Sequence, residues 1–533
     1  MAKLKAVLYD TLLMQHLVQP DLPHDLEFVA SIFTNKPIWK HLAEENTELY
    51  CCRDTDTTLQ IWRQLKPLLE YLKLTDTYFN VSVPLAKICH DMHQLGVKID
   101  PGQIKKVREQ LLEQSHAEEQ YLPECLREHD VAVNKRIAAP PGTISEKTKK
   151  PLKFISVPSS KHVVPWRSDV EVGKWLYDEL ALPKQTHAKT GKVTTDKVAL
   201  EKLYRLSGHN RGISAIRTLR SIDETLTTFA KKDMAFSGTS VHSSFNVHGT
   251  NSGRLSSSDP NLQNVPEAAR CIYIPRHSDW LLLQSDYSSL ENRLTAWFAK
   301  DWDRLAKFDE PGFSEHKYAA SLFFDIPYAE IQKDNDPAAP YNKAKHIVHG
   351  SNYGMGARKI AHMYDMDEKE VKRLLGLWKS ANPKTTEWQE ETAARAKADG
   401  YLVNPFGRKR WFYTSSYYTE SLSFLPQSTG ADIIFRAMIS LDYERIGMSA
   451  DDALRIVRVL SPLPRLANLL IQVHDSLIVE GPSCDIREIA QAVYTAMTQP
   501  WPELGGFSVP IAMECGANWG PREKGGDLRK FEI

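Results

Sequence analysis

The stretch "QVHDSLIVEG", residues 472–481, decides the reading of the fold. It follows "LANLLI", so the chain runs apolar, breaks at His474-Asp475-Ser476, and runs apolar again through Leu477, Ile478 and Val479. Two short apolar runs about a polar break predict two buried strands joined by a tight turn. A carboxylate at the tip of such a hairpin is costly near a core unless it is paired or holds a metal. Asp286 is the candidate partner, because it also closes an apolar strand-like run, "WLLLQS", and is followed by the polar "YSS". Two carboxylates on neighbouring strands would make an all-oxygen site suited to Mg²⁺, which takes few carboxylates together with substrate phosphates. Either aspartate alone is more simply a turn residue.

Residues 341–356, "YNKAKHIVHGSNYGMG", add weight to the pair. On a helix, positions 341, 345, 349 and 353 advance by about 40° per step and form one slanting stripe. Tyr341, Lys345, His349 and Tyr353 therefore share a face. A lysine, an imidazole and phenols suit a nucleoside triphosphate, with charge for phosphates and flat rings for sugar and base. An ordinary amphipathic helix with inward aromatic residues explains the tyrosines but not the lysine between them.

The chain has 533 residues, 42% hydrophobic and 25% charged, with 67 basic and 67 acidic side chains. This suggests about three or four structural units of roughly 150 residues. Zero net charge argues mildly against nucleic-acid binding, yet a local basic groove is compatible with it. Seven cysteines without a C-x-x-C fit a reducing interior better than a disulfide framework or zinc site. No run has the length of a membrane span and no signal-peptide core opens the chain, so an intracellular, cytoplasmic protein is expected. Residues 1–75 and 103–128 read as helical. The Pro-, Lys- and Ser-rich segment 134–167 reads as an exposed loop insertion. Residues 244–266 read as a short strand and a long polar loop, 280–299 as strand then helix, 400–412 as a hairpin, and 427–446 as a helix.

These segments, in this order, resemble family A DNA polymerases, the bacterial DNA polymerase I group and its phage relatives. "DYSSLENR" (286–293) and "QVHDS" (472–476) resemble the family's two palm motifs. "KHIVHGSNYG" (345–354) resembles its fingers-helix motif, and "SGRLSSSDPNLQNVP" (252–266) its minor-groove segment. "QSTGADIIFRAM" (427–438) and "ECGANW" (514–519) also match, so the resemblance runs from about residue 1 to the C-terminus. It implies an α+β right-hand fold with an antiparallel palm sheet and helical fingers and thumb. The implied divisions are a partial 3′–5′ exonuclease-like segment (1–78), a thumb region (79–235), palm (236–305), fingers (306–414) and palm again (415–533).

The same resemblance implies a template-directed DNA polymerase with primer-template DNA and dNTPs as partners. The chain would act as a monomer, in a phage or bacterial nucleoid setting. Asp286 and Asp475 would hold two Mg²⁺ ions, which Mn²⁺ could replace, with the Tyr287 carbonyl assisting. Lys345 and His316 would meet the triphosphate, His349 the sugar, and Tyr353 the templating pair. Glu291 would be the steric gate against a 2′-hydroxyl. Arg254, Gln263, Asn264, Gln427 and His474 would contact the duplex or primer end, where minor-groove acceptors are alike for all base pairs. A single-subunit RNA polymerase is disfavoured by Glu291, and a silent DNA-binding scaffold by the presence of both aspartates.

Three positions depart from the family pattern. Ser476 replaces the usual Glu, Tyr341 replaces an Arg with Lys343 as the nearest compensating cation, and His349 replaces Phe or Tyr. Tyr50 and Asp54 match the last exonuclease motif, while the motifs carrying the other acidic ligands would lie before residue 1. A truncated chain, one product of a split gene, or a protein that lost this activity would each account for this, and no proofreading is expected.

Overall fold

The computed structural model describes residues 9–138, 154–187, 190–231, 240–333, 336, 339–364, 366–414 and 417–533. The chain forms two compact units, one of residues 105–232 and one of residues 1–104 with 233–533. The smaller unit is mainly helical. Its core gathers Trp166, Leu176, Leu200, Leu203, Ile216 and Leu219, with the helices Lys197–Leu206 and Arg211–Thr228 contributing the last four. The helix predicted over 103–128 is Pro101–Glu119, and Pro123 separates it from a short 3₁₀ turn at Glu124–Leu126.

The loop predicted over 134–167 is corrected by a two-stranded antiparallel ribbon, His129–Ala138 with Phe154–Val163. Its Pro and Lys content hid two flanks carrying Val131, Val133, Ile137, Ile155 and Val157, residue types that favour strands. The Pro- and Lys-rich centre, residues 139–153, lies outside the described residues, as do the first eight residues of the predicted helical N-terminus.

In the larger unit, five antiparallel strands form one sheet: β1 (Trp280–Tyr287), β2 (Asn468–Val473), β3 (Ser476–Pro482), β4 (Ile511–Gly516) and β5 (Arg529–Phe531). Their order is β2-β3-β1-β4-β5. Strand β3 is buried along its whole length, which fits its unbroken apolar run and its place between two neighbours. Gly481 lets a helix lie close on it, since a Cβ there would stand 2.3 Å from Ile489 Cδ1.

Eight of the helices in this unit bear on the site: α1 (Leu290–Phe298), α2 (Trp302–Lys307), α3 (Glu315–Phe324), α4 (Pro340–Asn352), α5 (Glu368–Ala381), α6 (Pro383–Asp399), α7 (Tyr417–Asp442) and α8 (Ile486–Met497). Helix α4 starts with Pro340 in its first turn, where a missing N–H costs nothing. Its Ala344, Ile347 and Val348 join Phe323, Leu374 and Trp378 in a core shared by α3, α4 and α5. The polar stretch 244–266 holds a second strand, Ser256–Ser258, paired with Ser244–Asn246. The hairpin predicted over 400–412 is present as Tyr401–Val403 with Lys409–Trp411.

Helix α7 begins ten residues before the predicted start at 427 and is buried on nearly all sides. Such a helix has no amphipathic edge to mark its limits. Inside it, Asp432 is fully buried and accepts from Asn404 Nδ2 (2.7 Å), Arg408 Nε (3.1 Å) and Arg408 Nη2 (2.8 Å). Burial alone would raise this carboxyl, but Arg408, Arg436 and Asn404 more than offset it and hold it below the usual range. Asp432→Ala leaves Arg408 and Arg436 buried without their counter-ion. It should cost about 3–5 kcal/mol in urea unfolding, whereas a loss below about 1 kcal/mol would show that the pair does not brace the core.

Candidate active site

Strands β2 and β3 pair through Val473 and Ser476, leaving His474 and Asp475 as a two-residue loop. His474 takes φ 51°, a left-handed conformation that glycine usually supplies. Three contacts hold this strained tip. Gln472 Nε2 donates to the His474 carbonyl (2.5 Å), Ser476 Oγ to the Val473 carbonyl (3.1 Å), and Tyr287 N to the Asp475 carbonyl (3.1 Å). Asp286 lies directly opposite Ser476 on β1, so the two aspartates stand at adjacent positions on one rim of the sheet.

Asp286 keeps solvent contact at the rim, yet protein packed around its carboxyl removes hydration. That burial, with the charges of Asp475 and Glu514, pushes it up to about 7. Asp475 is raised to about 6 by burial, with Arg254 opposing and Glu291 adding to the shift. Two carboxylates that resist ionisation side by side are short of positive charge.

Arg254 supplies part of that charge. It forms an ion pair with Glu291 at the start of α1, and its Nη2 lies 3.7 Å from Asp475 Oδ1. The loop bearing Arg254 rests on Arg408. Gly253 has φ +84°, and a Cβ there would lie 2.7 Å from Arg408 Cδ. The duplex candidates divide in this structure. Asn264 and His474 are exposed, whereas Gln263 is buried and donates to Gln472 Oε1 (2.9 Å), bracing the hairpin from behind.

Helix α4 presents Lys345 and His349 to solvent one turn apart, and Tyr353 caps its end. The His349 and Tyr353 rings meet edge-on at 5.2 Å. Tyr353 OH accepts from Gln427 Nε2 at 3.4 Å, which links α4 to α7. His316 on α3 packs edge-on against Tyr341 at 5.8 Å. Burial, then the charges of Lys345, His349 and His346, lower His316 to about 4, so it is a neutral imidazole near neutral pH. Its buried Nδ1 has no hydrogen-bond partner. Lys343 points off the stripe toward α5, where its Nζ pairs with Glu370 Oε1 at 3.3 Å.

Near the N-terminus, Asp54 accepts from Trp39 Nε1 (2.7 Å), and its charge holds the Tyr50 phenol above the ordinary value. Among the described residues, no group of three or more His, Cys, Asp or Glu is arranged to hold a metal ion. The reading from sequence missed Gln472 and Arg408 as supports and Glu514 as a further negative charge beside Asp286. Gln472 and Glu514 stand inside quoted motifs, but nothing local reveals whom they touch.

A sequence profile described as DNA polymerase family A matches residues 146–521. The chain belongs to this family. DNA polymerase I of Synechocystis sp. is 27% identical over 97% of this chain and 51% of its own length. The thermostable DNA polymerase I of Thermus aquaticus is 30% identical over 64% of this chain and 40% of its own. The chain thus spans about half the length of the curated relatives it matches. Among solved structures, the POL domain of Pol1 from M. smegmatis, in complex with DNA primer-template and dNTP, superposes with a TM-score of 0.69. It shares 22% identity and covers 96% of this chain and 81% of that one. The α+β architecture is therefore the right-hand polymerase fold of family A.

The raised carboxyls fix a pH dependence. A carboxyl raised on folding holds its proton more tightly in the folded state than in the unfolded chain. The metal-free protein therefore loses relative stability as pH climbs from the ordinary carboxylate range through about 7. Asp286→Asn should raise the melting temperature without metal near pH 8 and do so less near pH 5. Adding Mg²⁺ at the higher pH should stabilise wild type more than the variant. An equal response of both proteins to Mg²⁺ would contradict a metal site at Asp286.

Proposed function

We propose that this family A chain is a template-directed DNA polymerase that extends a primer 3′ end with deoxynucleoside triphosphates. The observation that carries this is the meeting of Asp286 and Asp475, from motifs far apart in sequence, at one sheet rim beside Glu291 and Arg254. On this reading residues 236–305 and 415–533 are palm, 306–414 fingers and 79–235 thumb.

The donor set fits Mg²⁺, with Mn²⁺ as a substitute: two hard carboxylates, short of counter-charge, open to solvent for substrate phosphates. Asp286 and Asp475, with the Tyr287 carbonyl, would hold two ions. When bound, these would activate the primer hydroxyl and stabilise the leaving oxygen in an in-line transfer. Lys345 supplies a compact positive charge for the triphosphate. His316, a neutral imidazole, carries one N–H donor for a phosphate oxygen. Glu291, held against Arg254, forms the floor beneath the sugar and leaves no room for a 2′-hydroxyl. His349 and Tyr353 supply ring faces for the sugar and the templating pair. Arg254, Asn264, Gln427 and His474 contact the primer end and duplex, and Gln263 supports them through Gln472.

Within residues 1–533, Tyr50 and Asp54 supply one carboxylate of an exonuclease-like set, and no proofreading is assigned to these two residues. Among the described residues, no helix is long and apolar enough to cross a membrane.

Primer extension on a defined template, with dNTPs and Mg²⁺, tests the proposal; no extension by the wild type would refute it. Asp286→Asn and Asp475→Asn should each lower kcat by about a hundredfold or more while duplex affinity holds, since a lost ligand costs several kcal/mol of transition-state stabilisation. Near-normal extension by either variant would remove these residues from the chemistry. Glu291→Ala should raise the ratio of ribonucleotide to deoxyribonucleotide kcat/KM by about tenfold or more. An unchanged ratio would show that Glu291 is not the gate.

A further inference from the structure

Behind the nucleotide face lies a buried polar cluster that contacts no proposed substrate. Arg304 on α2 is buried, and both its Nε and Nη2 approach Glu315 Oε1 at 2.7 Å. Its Nη1 donates to Thr385 Oγ1 on α6 (3.0 Å) and its Nη2 to Asn352 Oδ1 on α4 (3.4 Å). The guanidinium lies over the Trp378 ring of α5 at 5.4 Å. Asn352 Nδ2 passes the connection on to Asn292 Oδ1 on α1 (2.8 Å). Gln389 on α6 closes the cluster from below, donating to the Ser351 carbonyl (2.5 Å).

Three of the linked residues, unlike Thr385, are sequence neighbours of proposed nucleotide-binding residues. Asn292 follows Glu291, Glu315 precedes His316, and Asn352 precedes Tyr353. On a helix, adjacent side chains stand about 100° apart. Pinning the inward residue stops the helix from rolling, so the bearing of the outward neighbour is fixed. One guanidinium thereby constrains three helices at the turn where each meets the pocket.

A buried ion pair is a poor source of stability compared with apolar side chains of similar volume, so stability alone does not account for this one. We propose that Arg304 is a positioning residue, which sets the nucleotide pocket by tying together the segments that carry Glu291, His316 and Tyr353. The role rests on the polymerase activity and adds a determinant outside the contact surface.

Removing Arg304 alone would leave the Glu315 charge buried and unpaired, and misfolding would obscure the result. The test therefore uses two variants. The double variant Arg304→Met/Glu315→Met removes both charges, and Asn352→Leu cuts the link from Arg304 to Asn292 without touching a charge. Thermal unfolding, primer-template affinity and dNTP kinetics are read on the full chain. Both variants should fold and hold primer-template within about twofold of wild type. KM for the dNTP should rise by about tenfold, and discrimination against ribonucleotides should fall. Arg304→Lys, which keeps one charge but loses the fork, should fall between them and wild type.

A folded double variant with unchanged KM and discrimination overturns the proposal. If the double variant does not fold, unchanged kinetics in Asn352→Leu overturn it instead. A wild type that fails to extend primers removes the polymerase reading. A wild type that extends beside kinetically unaltered variants removes only the positioning role.

Discussion

The pairing of β1 with β3 is the constraint on which the rest depends. Its register places Asp286 opposite Ser476, one residue from Asp475. A slip of one residue would turn every side chain of the strand to the other face. That slip is prevented because β3 is buried throughout and β1 is paired on both edges, by β3 and β4. The apolar core of the sheet thus fixes two like charges side by side at its rim, where their repulsion and loss of hydration must be met from outside the sheet.

Much of the surrounding polar structure serves that need. Arg254 reaches Asp475 and Glu291 together, and the loop that carries it sits on Arg408, itself locked to Asp432 inside α7. Gln263 and Gln472 support the left-handed turn at His474 from the buried side. Strain and uncompensated charge concentrated at one place are affordable only where neighbouring structure over-determines the geometry, and such places are commonly functional.

Local pattern made part of this legible. The hairpin about Asp475, the strand-to-helix run from Trp280 and the amphipathic α4 each carry a period or an apolar run that announces itself within a dozen residues. The ribbon at His129–Val163 was hidden by its composition, and the full extent of α7 by its burial on all sides. The polar ties were not legible at all. Gln263 meets Gln472 across 209 residues and Arg304 meets Asn352 across 48, and no periodicity encodes a partner at such range. The same limit explains Lys343, which pairs with Glu370 on α5.

The central claim is that Asp286 and Asp475 hold the divalent cations of nucleotide transfer. Its most direct test is anomalous scattering from Mn²⁺ in crystals of the enzyme with primer-template and a non-hydrolysable dNTP. The account predicts peaks at about 2.1 Å from carboxylate oxygens of both residues. Mn²⁺ bound to the triphosphate alone, with neither carboxylate in reach, would contradict it.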